Sequence, residues 1–153
     1  MTISQSRPRP DILIRDPDGF PIAVVEIKNR QNLSRDVATE MRRNMIAHGL
    51  PSRVPYFLLL SQDVGYLWKE PKQGSADAPP TYEFPMSSIV TRYLRRDPNE
   101  RLYGAELELL ALQWLTDLTL KPERDTEEPE KTLARAGFNE SIRGATVLLE
   151  EEQ

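Results

Sequence analysis

Apolar and polar positions in the first thirty residues follow the pattern of a β-hairpin. A short apolar run covers Asp11–Arg15, and the turn sequence Asp16-Pro17-Asp18-Gly19 follows it. Proline fixes φ and glycine tolerates positive φ, so this tetrapeptide favours a tight reversal of the chain. The return segment Ile22–Lys28 has almost no polar alternation before Glu26. Such a run predicts a strand that lies in the middle of a sheet and is covered on both faces.

A helix is predicted after the hairpin. Ser34 is a candidate N-cap, and the apolar residues Val37, Met41 and Met45 recur at every fourth position until Gly49 ends the pattern. The remaining segments predict, in chain order, a buried strand over Val54–Ser61, its hairpin partner over Gly65–Lys69, a polar loop over Glu70–Thr81, a helix from Met86 to Leu94, a long helix from Leu102 to Leu118, a charged and solvated connection at 121–131, a short helix from Leu133 to Arg143 and an edge strand over Ala145–Leu149.

The order of these elements indicates the fold class. A hairpin, a helix, a second hairpin and then mostly helix predict an α/β or α+β domain around one mixed sheet. A chain of 153 residues fits one domain. We therefore expect a single domain over residues 1–153, with a mostly helical part at 86–149. Trp68 and Trp114 are expected in its core.

The charged residues are unevenly distributed along the chain, whose net charge is −4. Residues 1–50 carry eight Lys/Arg and six Asp/Glu, residues 51–99 carry six and five, and residues 100–153 carry six and thirteen. The N-terminal two thirds is therefore mildly basic, and the acidic residues are concentrated in the C-terminal third. The sequence contains no strongly basic stripe of the kind found in high-affinity DNA-binding proteins.

Composition excludes several classes of protein. The chain has no cysteine, which rules out a disulfide framework and a thiolate metal site. No apolar run approaches the roughly 20 residues needed to span a bilayer, and the N-terminal sequence lacks the apolar core of a signal peptide. We therefore expect a soluble, cytoplasmic protein that does not associate with a membrane.

The predicted hairpin brings three charged side chains close together. Opposed residues of an antiparallel pair have numbers with a constant sum, here about 35 to 37. Asp11 then lies opposite a residue between Val24 and Glu26, and its side chain can reach Glu26 directly or diagonally. Glu26 and Lys28 are two residues apart and share one face of their strand. We expect two carboxylates and an ammonium group in one patch.

Such a patch has a chemical use. Two carboxylates a few ångströms apart repel each other unless a divalent cation lies between them. Oxygen ligands of this kind suit Mg²⁺, with Mn²⁺ as a substitute, and water completes the octahedron. The metal polarises a phosphodiester oxygen and lowers the pKa of a bound water. A neighbouring lysine can orient that water or stabilise charge in the transition state.

Pro10-Asp11 and Glu26-Ile27-Lys28, on a hairpin followed by a helix and a strand, resemble the PD-(D/E)XK nuclease superfamily. The resemblance covers residues 7–68 and implies a restriction-endonuclease-like fold, a mixed central sheet flanked by helices. It also implies Mg²⁺-dependent cleavage of phosphodiester bonds, with DNA as the expected substrate. By this resemblance Asp11, Glu26 and the backbone carbonyl of Ile27 hold the metal, and Lys28 assists the attacking water. Gln31 matches an additional polar residue that some members carry after the lysine.

The sequence departs from that superfamily before the first motif. Members commonly have an upstream helix that supplies a further acidic residue, whereas only nine residues precede Pro10 and none is Asp or Glu. The chain is truncated there, later helices cover that side of the sheet, or the site has lost activity. The alternative function is a catalytically inactive, nuclease-like binding or assembly module that partners a larger DNA-processing protein. A solvated pair of Glu26 and Lys28 at a hairpin end, with no active site, is the structural alternative.

Other residues offer weaker signals. His48, the only histidine, is expected at a helix end, where contact with the C-terminal dipole is a simpler explanation than base catalysis. Arg42 and Arg43 lie off the apolar stripe of their helix and could contact a phosphate backbone or occupy an exposed face. The helix from Leu102 to Leu118 is apolar around much of its circumference, including Leu109, which indicates a homodimer interface.

Overall fold

A mixed β-sheet with helices on both faces is the framework of the protein. The computed structural model describes residues 9–51, 53–69 and 75–150. Across the sheet the strands lie in the order fifth, fourth, third, second, first, sixth, so the α+β class with a mixed central sheet flanked by helices is confirmed. The elements are, in chain order, β1 (Ile12–Arg15), β2 (Pro21–Ile27), α1 (Arg35–Ala47), β3 (Tyr56–Leu60), β4 (Val64–Lys69), β5 (Tyr82–Pro85), α2 (Ser87–Leu94), α3 (Gly104–Leu120), α4 (Glu130–Arg135), α5 (Phe138–Ser141) and β6 (Thr146–Leu149).

Strand β2 lies in the middle of the sheet because its apolar side chains point to both faces. It pairs antiparallel with β1 and parallel with β3, and every residue from Ile22 to Ile27 is buried. Ile12 lies opposite Val25 and Leu13 opposite Val24, so the numbers of opposed residues sum to 37. The predicted central strand and the predicted register are therefore confirmed.

Helices cover the two faces of the sheet with separate apolar clusters. Helix α1 packs its Met41 and Met45 over the face that contains Val24 and Trp68. The later helices pack on the opposite face, where Trp114 of α3 belongs to the larger cluster. Both tryptophans are buried, as predicted. The later helices thus cover the face of the sheet opposite α1.

Two elements differ from the sequence predictions. Tyr82–Pro85, for which the pattern predicted no element, is an edge strand paired with β4. The helix predicted from Leu133 to Arg143 is instead two short helices, because Gly137 between them has a φ of 77°. That left-handed conformation cannot continue a right-handed helix. In the described part of the chain, no helix is long and apolar enough to cross a membrane.

The connection at 121–131, predicted to be solvated, ends in a buried charge. Glu130 is 1% exposed and accepts two hydrogen bonds of 2.7 Å from the guanidinium of Arg92. Trp114 Nε1 donates to the same carboxylate at 3.1 Å. Burial alone would raise the pKa of Glu130, but the hydrogen bonds from Arg92 and Trp114 hold it below its usual value. This network joins α2, α3 and α4 on the face of the sheet opposite α1.

Gly65 is required where β4 passes the ring of Phe84. A Cβ at this position would lie 2.1 Å from a ring carbon of Phe84. We expect Gly65→Ala to lower the free energy of unfolding by roughly 1–3 kcal/mol in urea denaturation, because the ring must move out of a packed core. Gly104→Ala is the matched control, since nothing lies within 4 Å of its added Cβ. Equal stability of the two variants would contradict this account.

Candidate metal centre

The open end of the central hairpin places Asp11 opposite Glu26, one residue beyond the Ile12–Val25 pair. Each carboxylate accepts a hydrogen bond from the backbone of the other strand. Asp11 N–H donates to Glu26 Oε2, and Ile27 N–H donates to Asp11 Oδ2, both at 2.7 Å. The two carboxylates are therefore held side by side between the ends of β1 and β2, as the register predicted.

The backbone carbonyl of Ile27 points toward the same side as Asp11. Lys28 N–H donates to Leu60 O on β3 at 2.8 Å, whereas Ile27 N–H donates to Asp11 on the other side. Because the N–H and C=O of one strand residue point to the same side, this carbonyl is directed toward β1. The register places Pro10 there, and proline has no N–H to donate. The strand ladder thus supplies no donor from that position, which suits a metal ligand.

The electrostatic environment of Glu26 disfavours its negative charge. Burial, and then the nearby charge of Asp11, raise the pKa of Glu26 to about 7. The hydrogen bond from Asp11 N–H and the positive charge of Lys28 act in the opposite direction without cancelling these effects. A bound divalent cation would reverse the balance, because it stabilises the charged form of a coordinating carboxylate.

Lys28 lies beside this pair but is not bound to it. Its charge acts on Glu26, yet Lys28 forms no ion pair with any carboxylate among the described residues. Gln31 is exposed, and its side chain makes no hydrogen bond with Asp11, Glu26 or Lys28 within the described part of the chain. The structure therefore brings the first three predicted residues together and leaves Gln31 outside the group.

Two acidic residues that the sequence analysis missed lie near Asp11. Glu108 on α3 is partly buried, and its pKa is raised by burial and by the charge of Asp11. Glu150, directly after β6, donates its backbone N–H to Asp11 O at 3.0 Å. A later helix thus brings an acidic residue to this end of the hairpin. No local spacing could have connected α3 with a motif almost a hundred residues earlier.

A pocket opens beside Glu26, with a volume of about 230 Å³. His48 Nδ1 lies 2.6 Å from Asn44 O, so the predicted contact between this ring and the C-terminus of α1 is confirmed. The pocket also places His48 near Glu26, which the sequence did not indicate. We name this cavity the Glu26 pocket. It is lined by Arg9, Glu26, Asn44, Met45, His48 and Leu50.

Arg42 is not on an exposed face of α1, which was one of the two expectations for it. The residue is 4% exposed, and its guanidinium lies 5.5 Å and 5.3 Å from the ring centroids of Phe57 and Trp68. These contacts are cation–π interactions in the core beneath α1. Arg43 is exposed and pairs with Asp77 at 3.5 Å. Arg42 therefore packs against the sheet, because α1 lies across aromatic residues that the local pattern does not reveal.

The donor set suits Mg²⁺. Among the described residues no three side chains of His, Cys, Asp or Glu converge on one point. Asp11, Glu26 and the Ile27 carbonyl would leave about three positions of an octahedron for water or substrate, and Mg²⁺ usually retains several waters. Carboxylate and carbonyl oxygens are also the hard ligands that this ion prefers.

Comparison with known proteins adds no family assignment. The chain matches no family model, no curated protein and no solved structure. The resemblance to PD-(D/E)XK nucleases therefore rests on Asp11, Glu26 and Lys28 and on the hairpin that carries them.

The raised pKa of Glu26 makes the stability of the metal-free protein depend on pH. The folded protein holds this proton more tightly than the unfolded chain does. The resulting stabilisation is complete below about pH 4.5 and is lost as the pH rises to about 7. Glu26→Gln is neutral at every pH and keeps an oxygen acceptor for Asp11 N–H. We expect it to exceed the stability of wild type by at most about 3 kcal/mol at pH 8, and by nothing at pH 4.5.

Denaturation in urea with a chelator at the two pH values would measure this difference. Glu40→Gln is the matched control, because Glu40 is an exposed carboxylate on α1, and its substitution should leave stability nearly unchanged at both pH values. A Glu26→Gln protein that is less stable than wild type at pH 8 would contradict the electrostatic account of the site.

Proposed function

We propose that the protein is a Mg²⁺-dependent nuclease of the PD-(D/E)XK type that hydrolyses phosphodiester bonds in DNA. The observation that carries the proposal is the reciprocal pairing of Asp11 and Glu26, with the charge of Lys28 acting on Glu26. Two carboxylates side by side in a partly buried site cost free energy, which a bound divalent cation offsets. This is the arrangement that the sequence resemblance implies.

Each residue of the site has a separate role in this mechanism. Asp11, Glu26 and the Ile27 carbonyl would hold the cation, which supplies positive charge to a phosphodiester oxygen and acidifies a bound water. The ammonium group of Lys28 orients the attacking water and stabilises the negative charge that develops on the phosphate oxygens. The buried surroundings of Glu26 strengthen these interactions, because charges interact more strongly where water is excluded.

A binding or assembly module that partners a larger DNA-processing protein is the second candidate function. It is favoured by Glu108, which brings a further negative charge close to Asp11 and Glu26. Without a bound cation, such a group of carboxylates repels a phosphate backbone. In this alternative the pair of Asp11 and Glu26 retains metal binding but cleaves nothing.

We also propose that two copies associate through helix α3. Leu109 is 59% exposed, and the partly buried Leu112 lies three residues further along the same helix. A two-fold axis would bring the same apolar surface of both copies together and remove it from water.

Substitution of Lys28 separates catalysis from metal binding. We expect Lys28→Ala to reduce DNA cleavage at least about 100-fold, because the charge that develops on the phosphate loses a preorganised donor. Stabilisation by Mn²⁺ should persist in Lys28→Ala and be lost in Asp11→Asn, because only the second variant removes a ligand. Thermal melting during Mn²⁺ titration, followed by incubation with linear, circular and single-stranded DNA, measures both effects.

Lys131→Ala is the control for this experiment, since Lys131 is exposed on α4 and should affect neither quantity. Cleavage that survives in Lys28→Ala would exclude Lys28 as the catalytic lysine. Stabilisation by Mn²⁺ without cleavage of any DNA would favour the binding module over the nuclease.

A charged residue on the exposed face of α3 tests the proposed homodimer. We expect Leu109→Glu to convert a dimer into a monomer in size-exclusion chromatography with light scattering, because a carboxylate would be buried in the interface. Phe20→Ser is the control, since Phe20 is a similarly exposed apolar residue on the hairpin turn and should leave the dimer intact. A wild-type protein that is monomeric at high concentration would contradict the proposal.

A further inference from the structure

A second cavity lies next to the Glu26 pocket along the hairpin. This cavity has a volume of about 580 Å³ and shares Leu50 with the Glu26 pocket. It ends at Phe20 and Pro21, at the opposite end of β2 from Glu26. Five residue steps along a strand cover about 17 Å, a distance that a few extended nucleotides span. Because Leu50 lines both, the two cavities are neighbours, and together they are named here the hairpin groove.

The lining of the hairpin groove combines positive charge with apolar surface. Arg9 lines its end near the carboxylates, and Arg53 lines the end near Phe20. Met45 and Leu50 supply apolar surface between them. A positively charged groove with an aromatic side chain on which bases can stack is typical of sites that bind single-stranded nucleic acid.

Phe20 is an exposed aromatic residue on a rigid turn. Its side chain is 68% exposed, although large apolar residues are normally buried. Phe20 N–H donates to Asp16 Oδ1 at 2.9 Å, and Asp16 N–H donates to Phe20 O at 2.8 Å. Arg15 Nη1 adds a bond of 2.9 Å to Gly19 O within the same turn. These bonds therefore fix the backbone that presents the ring at the groove, as a stacking platform requires.

His48 is similarly fixed at the other end. Its Nδ1 is held by Asn44 O at 2.6 Å, which leaves Nε2 as the ring nitrogen without that bond. Imidazole and the Asn44 side-chain amide can both form hydrogen bonds with the edge of a base or with a phosphate oxygen. The Glu26 pocket therefore suits the nucleotide next to the scissile phosphate.

We propose that the hairpin groove binds a single strand of DNA, with one nucleotide in the Glu26 pocket and a base a few nucleotides away stacked on Phe20. This inference rests on the proposed nuclease function and specifies its substrate as single-stranded DNA. The bases of a duplex stack on one another and cannot offer a face to Phe20, whereas those of a single strand can.

The test measures binding of a fluorescently labelled oligothymidylate by anisotropy at low salt, with Ca²⁺ in place of Mg²⁺. We expect Phe20→Ala to weaken binding roughly tenfold, in the range found when a stacking aromatic is replaced by alanine. Phe20→Trp should restore affinity, because indole supplies a comparable stacking surface. Binding of a duplex of the same length should not change in either variant.

Leu120→Ala is the matched control, since Leu120 is 72% exposed on α3 and does not line the hairpin groove. Single-strand affinity that is unchanged in Phe20→Ala, or equally reduced in Leu120→Ala, would overturn the proposal. An equal loss for duplex DNA would overturn it as well.

Cleavage in Mg²⁺ separates this inference from the nuclease proposal. DNA cleavage combined with single-strand binding that does not depend on Phe20 would support the nuclease proposal and contradict the proposed role of the hairpin groove. Phe20-dependent binding without cleavage would support the proposed role of the hairpin groove and contradict the nuclease proposal.

Discussion

Two carboxylates that face each other across a pair of strands impose the main constraint on this structure. Asp11 and Glu26 each accept a backbone N–H from the opposite strand, so neither can leave without exposing an unpaired donor. Burial and mutual repulsion nevertheless oppose the charge on Glu26. The arrangement is stable because β2 is held in the sheet on both sides and covered on both faces, which resists separation of the strands.

The position of this pair at the end of a strand ladder explains why it suits metal binding. Within the ladder, each backbone carbonyl accepts a hydrogen bond from a neighbouring strand. At its end, Pro10 has no N–H to donate to the carbonyl of Ile27. Side-chain oxygens, a backbone carbonyl and the charge of Lys28 can therefore meet at one point. The Glu26 pocket opens at the same end, and the neighbouring cavity of the hairpin groove is lined by the exposed ring of Phe20. This combination supports the proposed metal-dependent reaction on a nucleic-acid strand.

The uneven distribution of charge along the chain corresponds to where acidic and basic residues lie in the fold. The acidic C-terminal third folds back through α3 and β6, so that Glu108 and Glu150 approach Asp11. The mildly basic N-terminal part contributes Arg9 and Arg53 to the hairpin groove. Negative charge is thus concentrated where a cation would bind, and positive charge lies along the proposed path of the strand.

Local patterns were enough to predict the hairpin, its register, the capped helix α1 and hence the pairing of Asp11 with Glu26. Turn chemistry, alternation and capping act between residues that are close in the chain, so they can be recognised without the fold. The burial of Arg42 over Phe57 and Trp68, and the approach of Glu108 and Glu150 to Asp11, could not be predicted in this way. These contacts depend on how whole apolar faces dock against the sheet. Packing between segments that are distant in the chain determines that docking.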